Sequence, residues 1–352
     1  MRHTTLGART GLRVSECALG TANFGTSWGG GASRADALAM LERFADANGT
    51  FIDTADCYQY GEAESIVGEF LTGRRDLFVV GSKFGYGASP APHALDTGNS
   101  AKTMTRAVEA SLKRLRTDYL DLYWVHFPDG VTPIEEILYA FDALVRAGKV
   151  LYIGLSNFPA WRVSRAAAIA DLRGWAPVAA IQTEYSLVER SAERELLPMA
   201  ASLGIGVASW SPLGGGLLTA KYRQDRQGRL TDWGGRVIRF EDSAQRTGIL
   251  DTVLAIASES GHAPAQVALA WTLARARACR TGFVPVLGPR SRVQLDACLD
   301  SLSIALDVAQ LARLDAASAI QAGSPHEVGA NALERMLGGV GHRVEPRSGV
   351  PA

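Results

Sequence analysis

Short apolar runs alternate along the chain with longer segments in which apolar residues recur every three or four positions. The short runs have the length of buried strands, and the longer segments have the spacing of amphipathic helices. The predicted strands cover residues 17–20, 51–53, 77–83, 120–126, 152–156, 178–182, 206–210 and 283–287. Strands that alternate with helices in this way favour parallel βαβ units. Eight such units predict one closed (β/α)8 barrel, the TIM-barrel class of α/β fold.

Helices are predicted between and after these strands. They cover residues 35–47, 63–71, 102–116, 134–147, 160–171, 193–203, two segments within 245–277 that separate near 261–264, 292–301 and 308–317. In the third of them, Met104, Val108, Leu112 and Leu115 keep the spacing of one helical face. That spacing is typical of an amphipathic helix.

The ends of the chain and one internal segment depart from the strand–helix period. Residues 4–6 and 12–14 flank a turn-rich link and predict a hairpin, which would plug the N-terminal end of a closed barrel. Residues 222–242 are polar, glycine-rich and carry five arginines, and they predict a long loop at the C-terminal face. We expect one barrel domain at 1–337 and a mobile tail at 338–352.

Composition and charge narrow the possible functions. The chain has 352 residues with 36 Lys plus Arg and 36 Asp plus Glu, so its formal net charge is zero. No basic field indicates nucleic acid or an anionic membrane as a partner. No signal-peptide core is present, and no run approaches the ~18 apolar residues of a membrane span. The cysteines Cys17, Cys57, Cys279 and Cys298 have no metal-like spacing. We expect a cytoplasmic protein with reduced thiols and no metal.

Four side chains near predicted strand ends suit one chemical task. Asp53 ends the second strand, and Tyr58 follows five residues later. Lys83 and His126 come at the ends of the third and fourth strands. A Tyr hydroxyl can give a proton if an ammonium stabilises its phenolate, a carboxylate can hold that ammonium, and a His can orient a carbonyl group. Active sites of such barrels lie at these strand ends, so the four residues together predict carbonyl reduction.

Each of these residues alone has an ordinary alternative. A lone Tyr usually packs, a lone His after an apolar run is usually a satisfied core residue, and a lone Asp is usually a helix cap. Lys83 is harder to explain in this way, because it directly follows an apolar run and the chain has only five lysines. A buried Lys is rare unless it is paired.

Ordered motifs along the chain also resemble those of the aldo-keto reductase family. The segments FIDTADCYQYGEAESIVGEFL, VVGSKFG, AVEASLKRLRTDYLDLYWVHFPD and IGLSNF look like its successive blocks, from about residue 6 to about residue 317. The resemblance implies a (β/α)8 barrel, a nicotinamide cofactor, an N-terminal hairpin plug and a loop at 222–242 that folds over the cofactor. It also implies that the family's catalytic tetrad is matched by Asp53, Tyr58, Lys83 and His126.

The other strand ends offer candidate cofactor contacts. No G-x-G-x-x-G follows the first strand, which argues against a Rossmann fold. Ser156, Asn157 and Gln182 end the fifth and sixth strands and can together hydrogen-bond a carboxamide. Trp210 either offers a flat face to a nicotinamide ring or packs in the core. The resemblance supports the first alternative. With it, the expected contacts also include Gly20, Thr21, Asp53, Ser211, Pro212, Leu213, Gly214 and Lys221.

The segment after the last strand predicts the phosphate end of the cofactor. Gly288, Arg290 and Gln294 lie in or after VLGPRS, which resembles the family's adenosine-phosphate block. Barrels commonly bind phosphate at this corner, where an Arg can form two charge-assisted hydrogen bonds. The alternative is a solvated surface Arg. We expect NADP(H) as the cofactor. Ala297 and Cys298 stand where members often have Glu and Asn, which weakens the expectation of adenine contacts there.

The sequence thus predicts reversible, NADPH-dependent reduction of an aldehyde or ketone, with Tyr58 as general acid. Two other functions stay open. One is a cofactor-binding partner protein, because potassium-channel β subunits share this fold and cofactor site. The other is an isomerase or lyase on the same barrel, for which no metal or phosphate-substrate constellation is evident. The residues that either form an apolar substrate rim or pack in loops are Phe24, Trp28, Tyr86 and Phe127. The particular carbonyl substrate and the oligomeric state are not predicted.

Overall fold

Eight parallel strands close into a barrel, as the sequence predicts. The computed structural model describes residues 1–224 and 240–339. An antiparallel hairpin of β1 (His3–Thr5) and β2 (Arg13–Ser15) comes first. The barrel strands are β3 (Ala18–Gly20), β4 (Phe51–Asp53), β5 (Val79–Phe84), β6 (Leu120–Val125), β7 (Val150–Ser156), β8 (Val178–Glu184), β9 (Gly206–Trp210) and β10 (Phe283–Leu287). Each pairs with the next along the chain, and β10 closes the ring on β3.

The hairpin plugs the N-terminal end of the barrel. Leu6 and Val14 are fully buried in one apolar cluster with inward-facing strand residues, among them Trp124. Gly282, just before β10, approaches the hairpin so closely that a Cβ there would lie 1.8 Å from the carbonyl oxygen of Thr5. Only a residue without a side chain fits this approach. The expected plug is therefore confirmed, and the C-terminal ends of the strands face the opposite side.

Helices surround the barrel, and most of them bury an apolar face against it. They are α1 (Arg34–Asp46), α2 (Glu62–Phe70), α3 (Ala101–Leu115), α4 (Ile134–Arg146), α5 (Ala160–Arg173), α6 (Leu196–Leu203), α7 (Lys221–Gln224), α8 (Ala244–Ser260), α9 (Pro264–Ala278), α10 (Arg292–Asp300), α11 (Val308–Ala317) and α12 (His326–Met336). The apolar face predicted for α3 is buried throughout. Within the described ranges, no helix is long and apolar enough to cross a membrane.

The third barrel strand begins later than its apolar run suggests. The run predicts a strand from Leu77, but β5 starts two residues later and Leu77 lies exposed in a 3-10 turn. Arg75 explains the difference. Its guanidinium donates to the carbonyl oxygen of Phe78 over 2.9 Å and to Asp121 Oδ2 over 2.7 Å. These bonds hold the chain in a turn ahead of the strand.

Three helical segments also differ from the prediction. The short α7 takes up the start of the loop predicted at 222–242. The helix predicted at 193–203 starts only at α6, because a non-helical φ of −140° at Glu195 separates it from a preceding 3-10 turn. The helix α12 is not predicted at all. Its apolar residues Val328, Leu333 and Met336 are exposed, so they form no buried face that hydrophobic periodicity could detect. The other predicted elements agree with the structure to within two residues at either end.

Two predicted regions extend beyond the described residues. Of the polar loop predicted at 222–242, residues 225–239 lie outside the described residues. The expectation that this loop folds over the cofactor therefore stays a prediction. Of the tail predicted at 338–352, residues 340–352 lie outside. The single-domain boundary at 337 and the mobile tail therefore stay predictions.

Candidate active site

A cavity of about 1170 Å³ opens at the C-terminal ends of the barrel strands. Pockets for one drug-sized ligand usually measure about 300–1,000 Å³, so this space suits more than one small molecule. The predicted site residues that line it are Gly20, Trp28, Asp53, Tyr58, Tyr86, His126, Phe127, Asn157, Gln182, Trp210, Ser211, Pro212, Leu213, Lys221, Gly288, Arg290 and Gln294. Five other predicted residues are buried and do not line it: Thr21, Phe24, Lys83, Ser156 and Gly214.

The four predicted tetrad residues converge at the floor of this cavity. Asp53 is the last residue of β4, and Lys83 lies one residue before the end of β5. His126 directly follows β6, and its backbone N–H donates to the carbonyl oxygen of Phe84 over 3.0 Å. Tyr58 opens a 3-10 turn in the loop after β4. Because neighbouring parallel strands end at the same edge, their terminal side chains meet there.

Lys83 is the centre of this group. Its ammonium is fully buried and donates to Asp53 Oδ2 over 2.5 Å, to the carbonyl oxygen of Thr54 over 2.9 Å and to the Tyr58 hydroxyl over 3.1 Å. Burial by itself would lower the pKa of Lys83, but the negative charge of Asp53, the neighbouring Tyr58 and the hydrogen bonds to both residues together outweigh it, so the pKa of Lys83 is raised above its ordinary value. The ammonium therefore stays charged beside the phenol.

The pKa of Tyr58 differs from the sequence-based expectation. A neighbouring ammonium is expected to lower it, but burial dominates and raises the pKa of Tyr58 to about 12. Lys83 acts in the expected direction and offsets only part of the effect of burial. The Tyr58 phenol therefore keeps its proton at neutral pH, and the Lys83 ammonium lies beside it.

Asp53 is held from a second side by Gln182. The side-chain amide of Gln182 donates from Nε2 to Asp53 Oδ1 over 2.9 Å, and both side chains are buried. The hydroxyl and the N–H of Thr21 both donate to the carbonyl oxygen of Asp53. Of these two residues, both expected to contact the cofactor, Gln182 orients the carboxylate that holds Lys83 and Thr21 holds the Asp53 backbone.

His126 is a neutral imidazole at the cavity wall. Burial lowers the pKa of His126 well below its usual value, and the nearby Lys83 ammonium lowers it further. Its ring stacks on Phe127 at 5.0 Å and meets the Tyr58 ring edge-on at 5.9 Å. A neutral imidazole carries one N–H, which can donate to a carbonyl oxygen.

Asn157 and Trp210 form a hydrogen-bonded pair on the cofactor side. Trp210 Nε1 donates to Asn157 Oδ1 over 3.0 Å, and Asn157 Nδ2 donates to the carbonyl oxygen of His126 over 3.0 Å. Asn157 Nδ2 also donates to Ser156 Oγ over 2.9 Å. The Asn157 amide, predicted to read a carboxamide, therefore fixes the Trp210 ring at the wall of the cavity.

Arg290 lies at the N-terminal end of α10. Ser291 caps this helix by accepting from the backbone N–H of Gln294, and Gln294 Oε1 accepts from the backbone N–H of Arg290 over 2.9 Å. A helix N-terminus attracts anions through its free N–H groups and its dipole. Ala297 and Cys298, the two departures from the family pattern, line the same part of the cavity.

These features fit a nicotinamide dinucleotide. Gly215 and Gly216 line the cavity in a turn with positive φ, where the lack of side chains lets a pyrophosphate approach the backbone. The flat Trp210 ring suits a nicotinamide, and the α10 N-terminus with Arg290 suits a phosphate. In the described part of the chain, no cluster of three or more His, Cys, Asp or Glu side chains could hold a metal ion.

The other end of the cavity is walled by aromatic rings. Trp28 meets Tyr58 at 6.3 Å and Tyr60 at 6.1 Å, and Tyr86 packs tilted on His126 at 5.5 Å. The predicted rim residues Trp28, Tyr86 and Phe127 all line this end. Phe24 does not, because it is fully buried in the hydrophobic core and its segment bridges to Ala32. The expectation of Phe24 at the rim is wrong.

The turn at residues 59–60 and the side chains of Gln59 and Glu62 place Trp28 and Tyr60 at this end. Gln59 and Tyr60 both have left-handed backbone conformations, with φ of 49° and 53°. Gln59 Oε1 accepts from the backbone N–H of Trp28 over 2.7 Å, and Glu62 Oε2 accepts from Ser27. Tyr60 was missed by the sequence prediction, although a second Tyr two residues after Tyr58 was a usable signal.

Comparisons with known proteins show which family the chain belongs to. An eight-stranded barrel with acid, base and aromatic side chains at its C-terminal end has the architecture of a barrel enzyme. The model of the aldo/keto reductase family matches residues 16–319, and the chain belongs to that family. It is therefore an NAD(P)-dependent oxidoreductase.

Several curated proteins are similar over most of their length. The chain is 38% identical over 320 residues to an uncharacterized oxidoreductase, YrpG, of Bacillus subtilis, which covers 87% of this chain and 93% of that protein. It is 33% identical over 332 residues to norsolorinic acid reductase A of Aspergillus parasiticus, covering 92% and 82%. It is 31% identical over 342 residues to an NADP(+) aryl-alcohol dehydrogenase of Phanerodontia chrysosporium, covering 92% and 88%.

Proposed function

We propose that the protein reduces an aldehyde or a ketone to the alcohol with NADPH, with Tyr58 as the general acid. The observation that carries this proposal is the Lys83 ammonium between the Asp53 carboxylate and the Tyr58 hydroxyl. NADPH, when bound, supplies the hydride to the carbonyl carbon. The protein supplies position, charge and the proton.

Each tetrad residue has a defined task in this proposal. Tyr58 gives its proton to the developing alkoxide, and the charge of Lys83 stabilises the phenolate that is left. Asp53, held by Gln182, keeps the ammonium in place. His126 donates an N–H to the carbonyl oxygen and orients it, which its neutral state permits.

The aromatic end of the cavity supports a flat, uncharged substrate. Rings of Trp28, Tyr60, Tyr86 and Phe127 surround the space next to Tyr58 and His126. Such rings stack favourably on another aromatic ring and offer no counter-charge to an ionised group. An aryl aldehyde or aryl ketone therefore fits best. Two relatives are named for an aryl alcohol and for norsolorinic acid, which agrees with this choice.

The choice of NADPH over NADH depends on Arg290. It lies at the cavity wall beside the capped N-terminus of α10, where an extra phosphate would find a cation and a helix dipole. NADP carries such a phosphate at its adenosine end and NAD does not. One relative whose name includes NADP(+) supports the same choice.

A substrate panel tests the proposal. Purified protein is mixed with NADPH or NADH and with aryl aldehydes, straight-chain aldehydes of similar size and charged sugar aldehydes, and cofactor oxidation is followed by absorbance. We expect turnover with NADPH and the highest kcat/KM for aryl aldehydes. Tight NADPH binding without reduction of any carbonyl would overturn the reductase proposal and favour a cofactor-binding partner protein.

A further inference from the structure

The thiol of Cys57 meets the imidazole of His126 beside the catalytic group. Cys57 Sγ lies 3.7 Å from His126 Nδ1, within the range of a hydrogen bond to sulfur. Both side chains are 8% exposed and line the cavity. Within residues 1–224 and 240–339, this is the only hydrogen-bonding contact of either imidazole nitrogen. Cys57 directly precedes Tyr58, so the contact joins the loop that carries the proposed acid to the residue that would orient the carbonyl group.

Both partners of this contact are uncharged at neutral pH. Burial raises the pKa of the Cys57 thiol well above its usual value, and the nearby Asp56 acts in the same direction. Burial and the Lys83 ammonium lower the pKa of His126 well below its usual value. A protonated thiol therefore faces a neutral imidazole, which has one N–H and one bare nitrogen.

Two hydrogen-bond arrangements are open to such a pair. Either Sγ–H donates to a bare Nδ1 and the ring proton is on Nε2, or Nδ1–H donates to sulfur and Nε2 is bare. A thiol sulfur is only a weak acceptor, whereas the imidazole lone pair accepts well, so the first arrangement is favoured. His126 lines the cavity, and its Nε2 forms no hydrogen bond with the described residues. It is the nitrogen that a molecule in the cavity can reach.

The aromatic neighbours of His126 do not determine which imidazole nitrogen carries the proton. Phe127 stacks on the imidazole, and the rings of Tyr58 and Tyr86 pack against it. These contacts hold the plane of the ring, but ring faces and edges do not fix which nitrogen carries the proton. The proton position is set by the hydrogen bond that the other nitrogen makes.

We propose that Cys57 is a positioning residue for His126. Its Sγ–H hydrogen bond to Nδ1 holds the ring as the Nε2–H tautomer, so that Nε2–H donates to the carbonyl oxygen of the substrate. The opposite tautomer would place a bare lone pair against that oxygen and repel it. The role in turnover rests on the proposed carbonyl reduction, whereas the tautomer is a property of the free protein.

The tautomer can be observed without substrate or cofactor. Long-range proton–nitrogen NMR correlations distinguish Nε2–H from Nδ1–H imidazoles, and a His126→Gln variant assigns the signals among the six histidines. We expect the Nε2–H pattern in the wild type and in Cys57→Ser, whose hydroxyl also donates. We expect a mixture of both tautomers in Cys57→Ala, and no change in Cys279→Ala, which lies outside this cavity. An Nδ1–H wild type, or an unchanged pattern in Cys57→Ala, would overturn the proposal.

Kinetics then test what the tautomer does. Cys57→Ala should lower kcat/KM for the aldehyde about 2- to 10-fold, the worth of one neutral hydrogen bond, while NADPH affinity and melting temperature stay close to the wild type. Cys57→Ser should restore most of the loss. Equal losses in Ser and Ala variants would mean that sulfur packing and not hydrogen bonding matters, and would overturn the positioning role. If the wild type reduces no carbonyl compound, the proposed function fails while the NMR result still decides the tautomer.

Discussion

The ammonium nitrogen of Lys83 lies 3.1 Å from the hydroxyl oxygen of Tyr58 at the floor of the cavity. Asp53 holds the same ammonium at 2.5 Å, so its position does not depend on a bound ligand. Burial raises the pKa of the Tyr58 phenol, and the fixed positive charge offsets part of that rise. The pair therefore combines a proton that stays on the phenol at neutral pH with a charge that stabilises the phenolate once the proton leaves.

Tyr58→Phe should remove the proton donor and keep the ring. General acid catalysis is worth ~10²- to 10⁴-fold, so we expect kcat for carbonyl reduction to fall by about that factor. NADPH affinity, measured by fluorescence quenching, should barely change. Tyr60→Phe is the matched control, because Tyr60 lines the same end of the cavity and its hydroxyl is not among the hydrogen-bond partners of Lys83. Near-wild-type turnover in Tyr58→Phe would show that the proton comes from another group.

Lys83→Met should cost about as much activity as the loss of the Tyr58 hydroxyl. The two groups are in contact and share one task, so the double variant should be little slower than either single variant. Single-turnover kinetics with saturating NADPH measure the three rates. Losses that multiply in the double variant would mean that Lys83 and Tyr58 act independently. Because the change also leaves buried Asp53 without its ammonium, melting temperatures should be compared in parallel.

The barrel and most of the tetrad geometry could be predicted because both depend on local pattern. Strand length, helix spacing and the position of Asp53, Lys83 and His126 at strand ends are visible in a single sequence. The contact between Gln182 and Asp53 is not, because it joins residues 129 positions apart that meet only when the barrel closes. The prediction of Phe24 at the substrate rim is wrong for a related reason. An aromatic residue in a loop can face the cavity or the core, and its pairing with the segment at residue 32 decides for the core.

Asp56 is a buried carboxyl group next to the tetrad whose ionisation should control stability. Burial raises its pKa to about 7, and the neighbouring Glu64 acts in the same direction. Its Oδ1 has no hydrogen-bond partner among the described residues. Below about pH 4 both folded and unfolded chains hold the proton. Between about pH 4 and 7 only the folded chain does, so its stability falls as pH rises.

Asp56→Asn should remove this pH dependence. Compared with the wild type, the variant should gain on the order of 2–3 kcal/mol of unfolding free energy between pH 5 and pH 8. Denaturant unfolding of both proteins at several pH values measures the difference. Asp46→Asn, an exposed change at the end of α1, serves as the control and should show no such trend. Parallel stability curves for Asp56→Asn and the wild type would contradict the raised pKa.

Arg290 should decide between NADPH and NADH. It lines the cavity, and its backbone N–H donates to Gln294 Oε1 in the capped first turn of α10. At this position the helix N-terminus and the guanidinium can bind one phosphate together. Losing a charged hydrogen bond costs ~1.5–3 kcal/mol, or roughly ten- to a hundred-fold in affinity. Arg290→Ala should weaken NADPH binding by about that factor and leave NADH binding almost unchanged, as measured by fluorescence titration of each cofactor.

The control for Arg290 is the nearby Arg292. Its side chain is more than half exposed and lies 3.7 Å from Asp296 on the same helix, and it does not line the cavity. Arg292→Ala should therefore leave both affinities unchanged, which separates a specific phosphate contact from a general loss of positive charge. Because the phosphate contact is electrostatic, the NADPH preference of the wild type should also shrink as salt rises. Equal weakening of both cofactors in Arg290→Ala, or a wild-type preference for NADH, would remove Arg290 from the phosphate site.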